Sequence, residues 1–182
     1  MNLANKITFS RLIAIPFFVF FLFSAEKVGK LIALIIFVVA SLSDFLDGYL
    51  ARKRMEVTTT GKIMDPVADK ILVYSAFICF IYMQVIPFWM VILILARDFL
   101  IMGLRVELAA QKVVMGASSL AKVKTVLEDL VILLVLILFI LRIKGVFLPA
   151  DELIIFLLMN AVVVTAIISG IQYGYKARRY LG

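Results

Sequence analysis

The chain contains no histidine and a single cysteine, Cys79, among 182 residues. Without imidazole there is no histidine-based triad, no zinc site built on imidazole and no histidine-ligated haem. General-base work falls to a carboxylate, a lysine or a tyrosine. One thiol excludes an intrachain disulfide. Proline (4 residues) and glycine (9 residues) are sparse, and Gly29, Gly61, Pro87, Gly116, Gly145 and Pro149 mark the breaks between long apolar runs. Pro66 is expected in the first turn of a helix, where its missing N–H does no harm. Charged residues make up only 17% of the chain.

What fills the sequence instead is apolar. Hydrophobic residues are 65% of the chain and the mean hydropathy is +1.15, whereas a soluble domain is about half apolar. The chain therefore reads as an all-α integral membrane protein with one domain, 1–182. The apolar run Leu12–Phe23 follows Lys6 and Arg11 as in a signal peptide, but no small-x-small cleavage site succeeds it. Six bilayer-length segments are expected, at 5–24, 29–51, 64–84, 87–110, 120–141 and 152–174.

The net charge of +7 does not imply nucleic acid, because the basic residues occupy short loops between spans. Lys6, Arg11, Arg52, Lys53, Arg54, Lys62, Arg105, Lys112, Lys122, Lys124, Lys176, Arg178 and Arg179 fall on one side of the expected membrane, against Lys27, Lys30, Arg142 and Lys144 on the other. The positive-inside rule then places both termini in the cytoplasm. Trp89 and Tyr82 fit the outer interfacial belt, and Tyr173, Tyr175 and Tyr180 the cytoplasmic one. The terminal Lys176/Arg178/Arg179 cluster is suited to anionic lipid.

Four aspartates stand at the cytoplasmic mouths of two of these runs. Asp44 and Asp47 are three apart, and Asp65 and Asp69 are four apart, so on helices each pair shares a face. A carboxylate at membrane depth costs roughly 2.5–3.5 kcal/mol unless it is paired or binds a cation. Gly48 and Ala51 continue the first stripe and leave room for a ligand or a neighbouring helix. The short connector 52–63 brings the two pairs together. Facing carboxylate pairs suit two hard divalent ions, a clamp used for displacement at phosphorus. The bland alternative, salt bridges to Arg52, Lys53, Lys62 and Lys70, suits one aspartate better than four at this spacing.

The segment Asp44-Phe-Leu-Asp47-Gly48-Tyr-Leu-Ala51-Arg52, with Gly61, Asp65 and Asp69 following at fixed distances, resembles the complete signature of the CDP-alcohol phosphatidyltransferases. The resemblance implies a six-helix membrane fold over the whole chain. It also implies attack of an acceptor hydroxyl on the β-phosphorus of CDP-diacylglycerol, with loss of CMP. Asp44, Asp47, Asp65 and Asp69 would hold two Mg²⁺ or Mn²⁺ ions, and Asp69 would be the general base. Gly48, Arg52 and Thr58 would bind the CDP group. The family further suggests a homodimer in a bacterial inner or plasma membrane, facing the cytoplasm.

Three more stretches resemble the branch of that family whose acceptor is sn-glycerol 3-phosphate. These are Asn5-Lys-Ile-Thr8-Phe-Ser-Arg11, whose Asn5 and Thr8 would line the nucleotide site, then Arg97-Asp98 with Gly103-Leu-Arg105, and Ala121-Lys122-Val-Lys124-Thr125. Ala121 and Asp98 replace the branch's usual Gly and Glu. A dianionic acceptor needs cations, and Arg97, Arg105, Lys122 and Lys124 are expected to supply them. Asp98 and Arg105 share a face, so part of this charge is open to internal pairing. The plain alternatives are anchoring for Lys122 and Lys124, and a structural pair with Asp98, Glu128 or Asp129 for Arg97. Three functional alternatives remain at this stage. One is a same-family enzyme using serine, inositol phosphate or phosphatidylglycerol. The others are an intramembrane prenyltransferase and a Mg²⁺ transporter.

Overall fold

The computed structural model describes residues 3–54, 59–111, 113, 119–143, 145 and 150–181, with side chains except at 3–9, 44–54, 59–69, 179 and 181. The described residues form six helices: α1 (Leu3–Phe23), α2 (Lys27–Arg54), α3 (Thr59–Tyr82), α4 (Phe88–Ala110), α5 (Ser119–Ile143) and α6 (Asp151–Leu181). They occupy the positions of the six expected segments. Two boundaries differ in ways that matter. α3 begins at Thr59, so Pro66 lies well inside the helix rather than in its first turn. α2 reaches Arg54, so helices take up most of the expected 52–63 connector and leave only 55–58 between them. Among the described residues one helical stretch, Asp151–Arg178, is long and apolar enough to cross a membrane on those criteria alone.

The chain divides into two compact units, 1–79 with 132–148 and 80–131 with 149–182. In the first, α1 packs on α2. Phe18 and Phe37 are fully buried, with ring centroids 6.1 Å apart, an arrangement that adds about 0.5–1.5 kcal/mol beyond burial. Their neighbours on α1 split by face: Leu22 is fully buried and Phe20 is 71% exposed. The turn between the helices is tight. A Cβ on Gly29 would collide with the Ser24 side chain, whose Oγ lies 2.5 Å from that position. Lys30 Nζ donates to the Leu22 carbonyl at the end of α1 and lies 5.2 Å from the Phe139 ring centroid. A cation there satisfies an orphan carbonyl and opposes the negative end of the helix dipole.

In the second unit α4 packs on α6. The turn before α4 closes α3 with Gln84 N–H bonded to the Ile81 carbonyl and Val85 N–H to the Phe80 carbonyl, both at 2.9 Å. This is the Schellman pattern, and it puts Gln84 at φ 59°, a conformation glycine adopts without strain. Along α6 the buried face toward the unit's core reads Ala166, Ser169, Tyr173, Ala177. Small residues at this spacing let two helices approach closely where lipid removes the hydrophobic drive between them.

The outward faces of both units are strongly apolar. Leu100, Ile171, Val106, Phe88 and Ile78 are each at least 60% exposed. Exposed apolar side chains in this number suit contact with lipid or a partner rather than water.

Candidate active site

The aspartates stand on continuous helices. Asp44 and Asp47 lie on α2, with Gly48, Ala51 and Arg52 on the same helix. Gly61, Asp65 and Asp69 lie on α3. Helical backbone through both segments puts each aspartate pair on one face, as the spacing requires. Asn5 and Thr8 lie on α1. Thr58 falls outside the described residues. Arg11, which ends the N-terminal motif, is buried, with 4% of its surface exposed. Buried arginine is rarely a mere topology anchor, because its desolvation must be met by partners.

The donor set fits divalent metal. It consists of hard carboxylate oxygens in two helix-borne pairs, without a thiolate or imidazole to select a softer ion.

The basic set expected for the acceptor lies in the second unit, and the fold sorts it into two kinds. Arg97 sits midway along α4. Its Nη1 donates to Asp98 Oδ1 at 2.8 Å and its Nη2 to Ser169 Oγ on α6 at 2.7 Å. Ser169 Oγ in turn donates to the Ala166 carbonyl at 3.0 Å, so the hydroxyl is used as both acceptor and donor. Gly170 makes room for the arginine stem, since a Cβ there would lie 3.1 Å from Arg97 Cγ. Lys124 on α5 is fully buried. Its Nζ lies 2.8 Å from Asp98 Oδ2 and 2.5 Å from Glu128 Oε1. Asp98 therefore joins two cations, one through each oxygen. An unpaired buried charge is costly, and these pairs offset part of that cost, with Arg97 Nε left buried without a hydrogen-bond partner among the described residues.

Arg105 and Lys122 are different. Both are exposed. Arg105 lies over the ring of Tyr173, with its guanidinium carbon 5.5 Å from the centroid. Asp98 pairs with Arg97 and Lys124, not with Arg105 as the shared face had allowed. Arg97 meets Ser169 and Gly170 while Arg105 meets Tyr173, so the contacts ascend together and α4 and α6 run in the same direction.

Two of these participants were missed from sequence. Ser169 carried no motif. Tyr173 was read with Tyr175 and Tyr180 as interfacial, whereas it is 4% exposed and they are 66% and 53% exposed. The available signal was the spacing Ala166, Ser169, Gly170, Tyr173, Ala177, a small-residue face around one aromatic.

The described helices thus carry paired carboxylates on α2 and α3 and a cluster of basic and acidic groups on α4 and α5. The family model described as CDP-alcohol phosphatidyltransferase matches residues 1–172. The chain belongs to the CDP-alcohol phosphatidyltransferase family. Among its relatives is the CDP-diacylglycerol–glycerol-3-phosphate 3-phosphatidyltransferase of Bacillus subtilis, 40% identical over 136 residues, covering 68% of this chain and 70% of the relative. The protein of the same name from Rickettsia bellii is 42% identical over 127 residues, 70% of each chain. A Mycobacterium tuberculosis protein named "Probable phosphatidylglycerophosphate synthase" is 33% identical over 184 residues, covering 100% of this chain and 84% of that one. Family membership removes the prenyltransferase and transporter alternatives.

Proposed function

We propose that this protein transfers the phosphatidyl group of CDP-diacylglycerol to sn-glycerol 3-phosphate, releasing CMP and forming phosphatidylglycerophosphate. The observation that carries this reading is the complete aspartate signature on two continuous helices, in a chain whose similar relatives bear that activity in their names. Residues 1–182 act as one membrane domain of six spans, with both termini and the aspartates at the cytoplasmic face. The parallel course of α4 and α6 supports this topology, because alternate spans of a multi-pass protein run the same way. The homodimer expected from the family belongs to the same proposal.

In the reaction, Asp69 takes the proton of the acceptor's hydroxyl. The oxygen so released bonds to the β-phosphorus of CDP-diacylglycerol, and the bond from that phosphorus to the CMP oxygen breaks. Asp44, Asp47, Asp65 and Asp69 would hold two Mg²⁺ or Mn²⁺ ions, which neutralise pyrophosphate charge and favour departure of CMP. Asn5, Thr8, Gly48, Arg52 and Thr58 hold the nucleotide, Arg52 with a planar fork matched to phosphate. Arg105 and Lys122, exposed, meet the acceptor's phosphate. Arg97 and Lys124, bound into their ion network, form the base that supports them.

The test is CMP release by the purified protein from CDP-diacylglycerol and Mg²⁺, comparing glycerol 3-phosphate, serine, inositol phosphate and phosphatidylglycerol. Release with glycerol 3-phosphate alone, abolished by chelator, is the expected result. Release with a different alcohol retains the carboxylate chemistry and overturns the acceptor. No release with any of them, from folded protein, overturns the reaction.

A further inference from the structure

The basic residues of the second unit do not contribute equally to an anion site. Arg97 and Lys124 carry two positive charges, and the Asp98 and Glu128 paired with them carry two negative ones. This cluster is formally neutral, so to first order it offers a dianion no net attraction. Surplus positive charge must come from a cation outside it. Arg105, two turns further along α4, is exposed and is paired with no carboxylate among the described residues.

What distinguishes Arg105 from an ordinary surface arginine is the ring beneath it. Tyr173 is 4% exposed and so is held by its packing on α6, and the guanidinium lies over it at 5.5 Å. A free arginine has rotamer freedom that a ligand contact must overcome. Stacking on an immobile ring removes part of that freedom before any ligand arrives. The contact is with a ring rather than a carboxylate, so the N–H donors of Arg105 are not taken up by an ion pair among the described residues. The Tyr173 hydroxyl is buried and hydrogen-bonds to nothing described, so the ring rather than the hydroxyl is the working part.

The geometry points to Tyr173 as a positioning residue that orients Arg105 toward the acceptor's phosphate. This rests on the acceptor proposed above.

The experiment uses the full chain in detergent–lipid micelles and measures KM for glycerol 3-phosphate, KM for CDP-diacylglycerol and kcat. Glycerol 3-phosphate-dependent CMP release by the wild type comes first. Its absence overturns the acceptor reading and this inference with it. Given that activity, Tyr173→Leu is expected to raise the acceptor KM about tenfold while changing kcat and the CDP-diacylglycerol KM little. Tyr173→Phe keeps the ring and should keep the wild-type KM. Because Tyr173 acts through Arg105, Tyr173→Leu combined with Arg105→Ala should be no worse in acceptor KM than Arg105→Ala alone. Where Tyr173→Leu fails to fold, Arg105→Lys serves instead. It keeps an exposed charge but loses the stacked fork, and should raise the acceptor KM comparably. The inference is overturned by an unchanged acceptor KM in Tyr173→Leu or Arg105→Lys. It is overturned equally by Tyr173→Phe as damaging as Tyr173→Leu, by additive losses in the double variant, or by a loss confined to thermal stability.

Discussion

The aspartate-bearing helices and the basic region of α4–α6 both gather charge in a predominantly apolar chain, and they do so in opposite ways. On α2 and α3 two aspartate pairs stand at helical spacing, with Gly48, Ala51 and Gly61 between them and the basic Arg52, Lys53, Arg54 and Lys62 in the same stretch. In the second unit positive and negative groups alternate and close on one another at 2.5–2.8 Å. Like charges gathered in an apolar surrounding need opposite charge, which the proposed divalent ions would supply to the aspartates. Opposite charges that close on one another are largely offset within the protein, however basic the segment looks in sequence. Arg105 stands between these cases, an exposed cation lying over an aromatic ring.

The sharpest way to break this comparison is to remove a charge from each region. Asp69→Asn should lower CMP release by about 10³-fold or more, as expected when a base and metal ligand is lost. Its thermal unfolding and helical circular dichroism should stay near wild type. A variant that turns over normally would end the base assignment, and one that unfolds would make this aspartate part of the scaffold. Lys124→Met should behave the other way. It removes the cation shared by Asp98 and the fully buried Glu128, and breaking a buried pair typically costs about 3–5 kcal/mol. A large fall in melting temperature is therefore expected, and neutralising Glu128 as well, in Lys124→Met/Glu128→Leu, should recover part of it. A Lys124→Met protein of unchanged stability but weak acceptor binding would move Lys124 back among the ligands.

The smallest effect lies outside both regions and calibrates them. Gln84 holds a left-handed conformation at the end of α3. Gln84→Gly should stabilise the protein by about 0.5–1 kcal/mol, read as a small rise in melting temperature, and leave the kinetic constants untouched. A change in acceptor KM there would show that kinetic shifts in this protein do not report local contacts.

Much of this was legible without coordinates. The count and order of helices followed from apolar runs of bilayer length broken by Gly and Pro, because each run is a local property of the chain. The aspartate spacing was legible for the same reason, since three- and four-residue intervals on a helix determine a face without reference to any other element. The boundaries near Thr59 and Arg54 were not. Polar residues at a helix end continue the helix when local bonding favours it, and hydropathy does not register them. The burial of Tyr173 was not legible because tyrosines at 173, 175 and 180 look alike in composition; helix geometry turns Tyr175 away, while Tyr180, on the same face as Tyr173, lies at the end of α6 and is 53% exposed.

By itself the sequence determined that the chain is helical, that four carboxylates lie in two helix-borne pairs, and that its signature is that of a family working on CDP-linked lipids. Only the tertiary structure decided which cations are available. The Lys124–Asp98 contact joins residues 26 apart and the Arg97–Ser169 contact joins residues 72 apart. No periodicity links such positions, so the neutralisation of one pair of cations, and the availability of Arg105 over its ring, exist only once α4, α5 and α6 have packed.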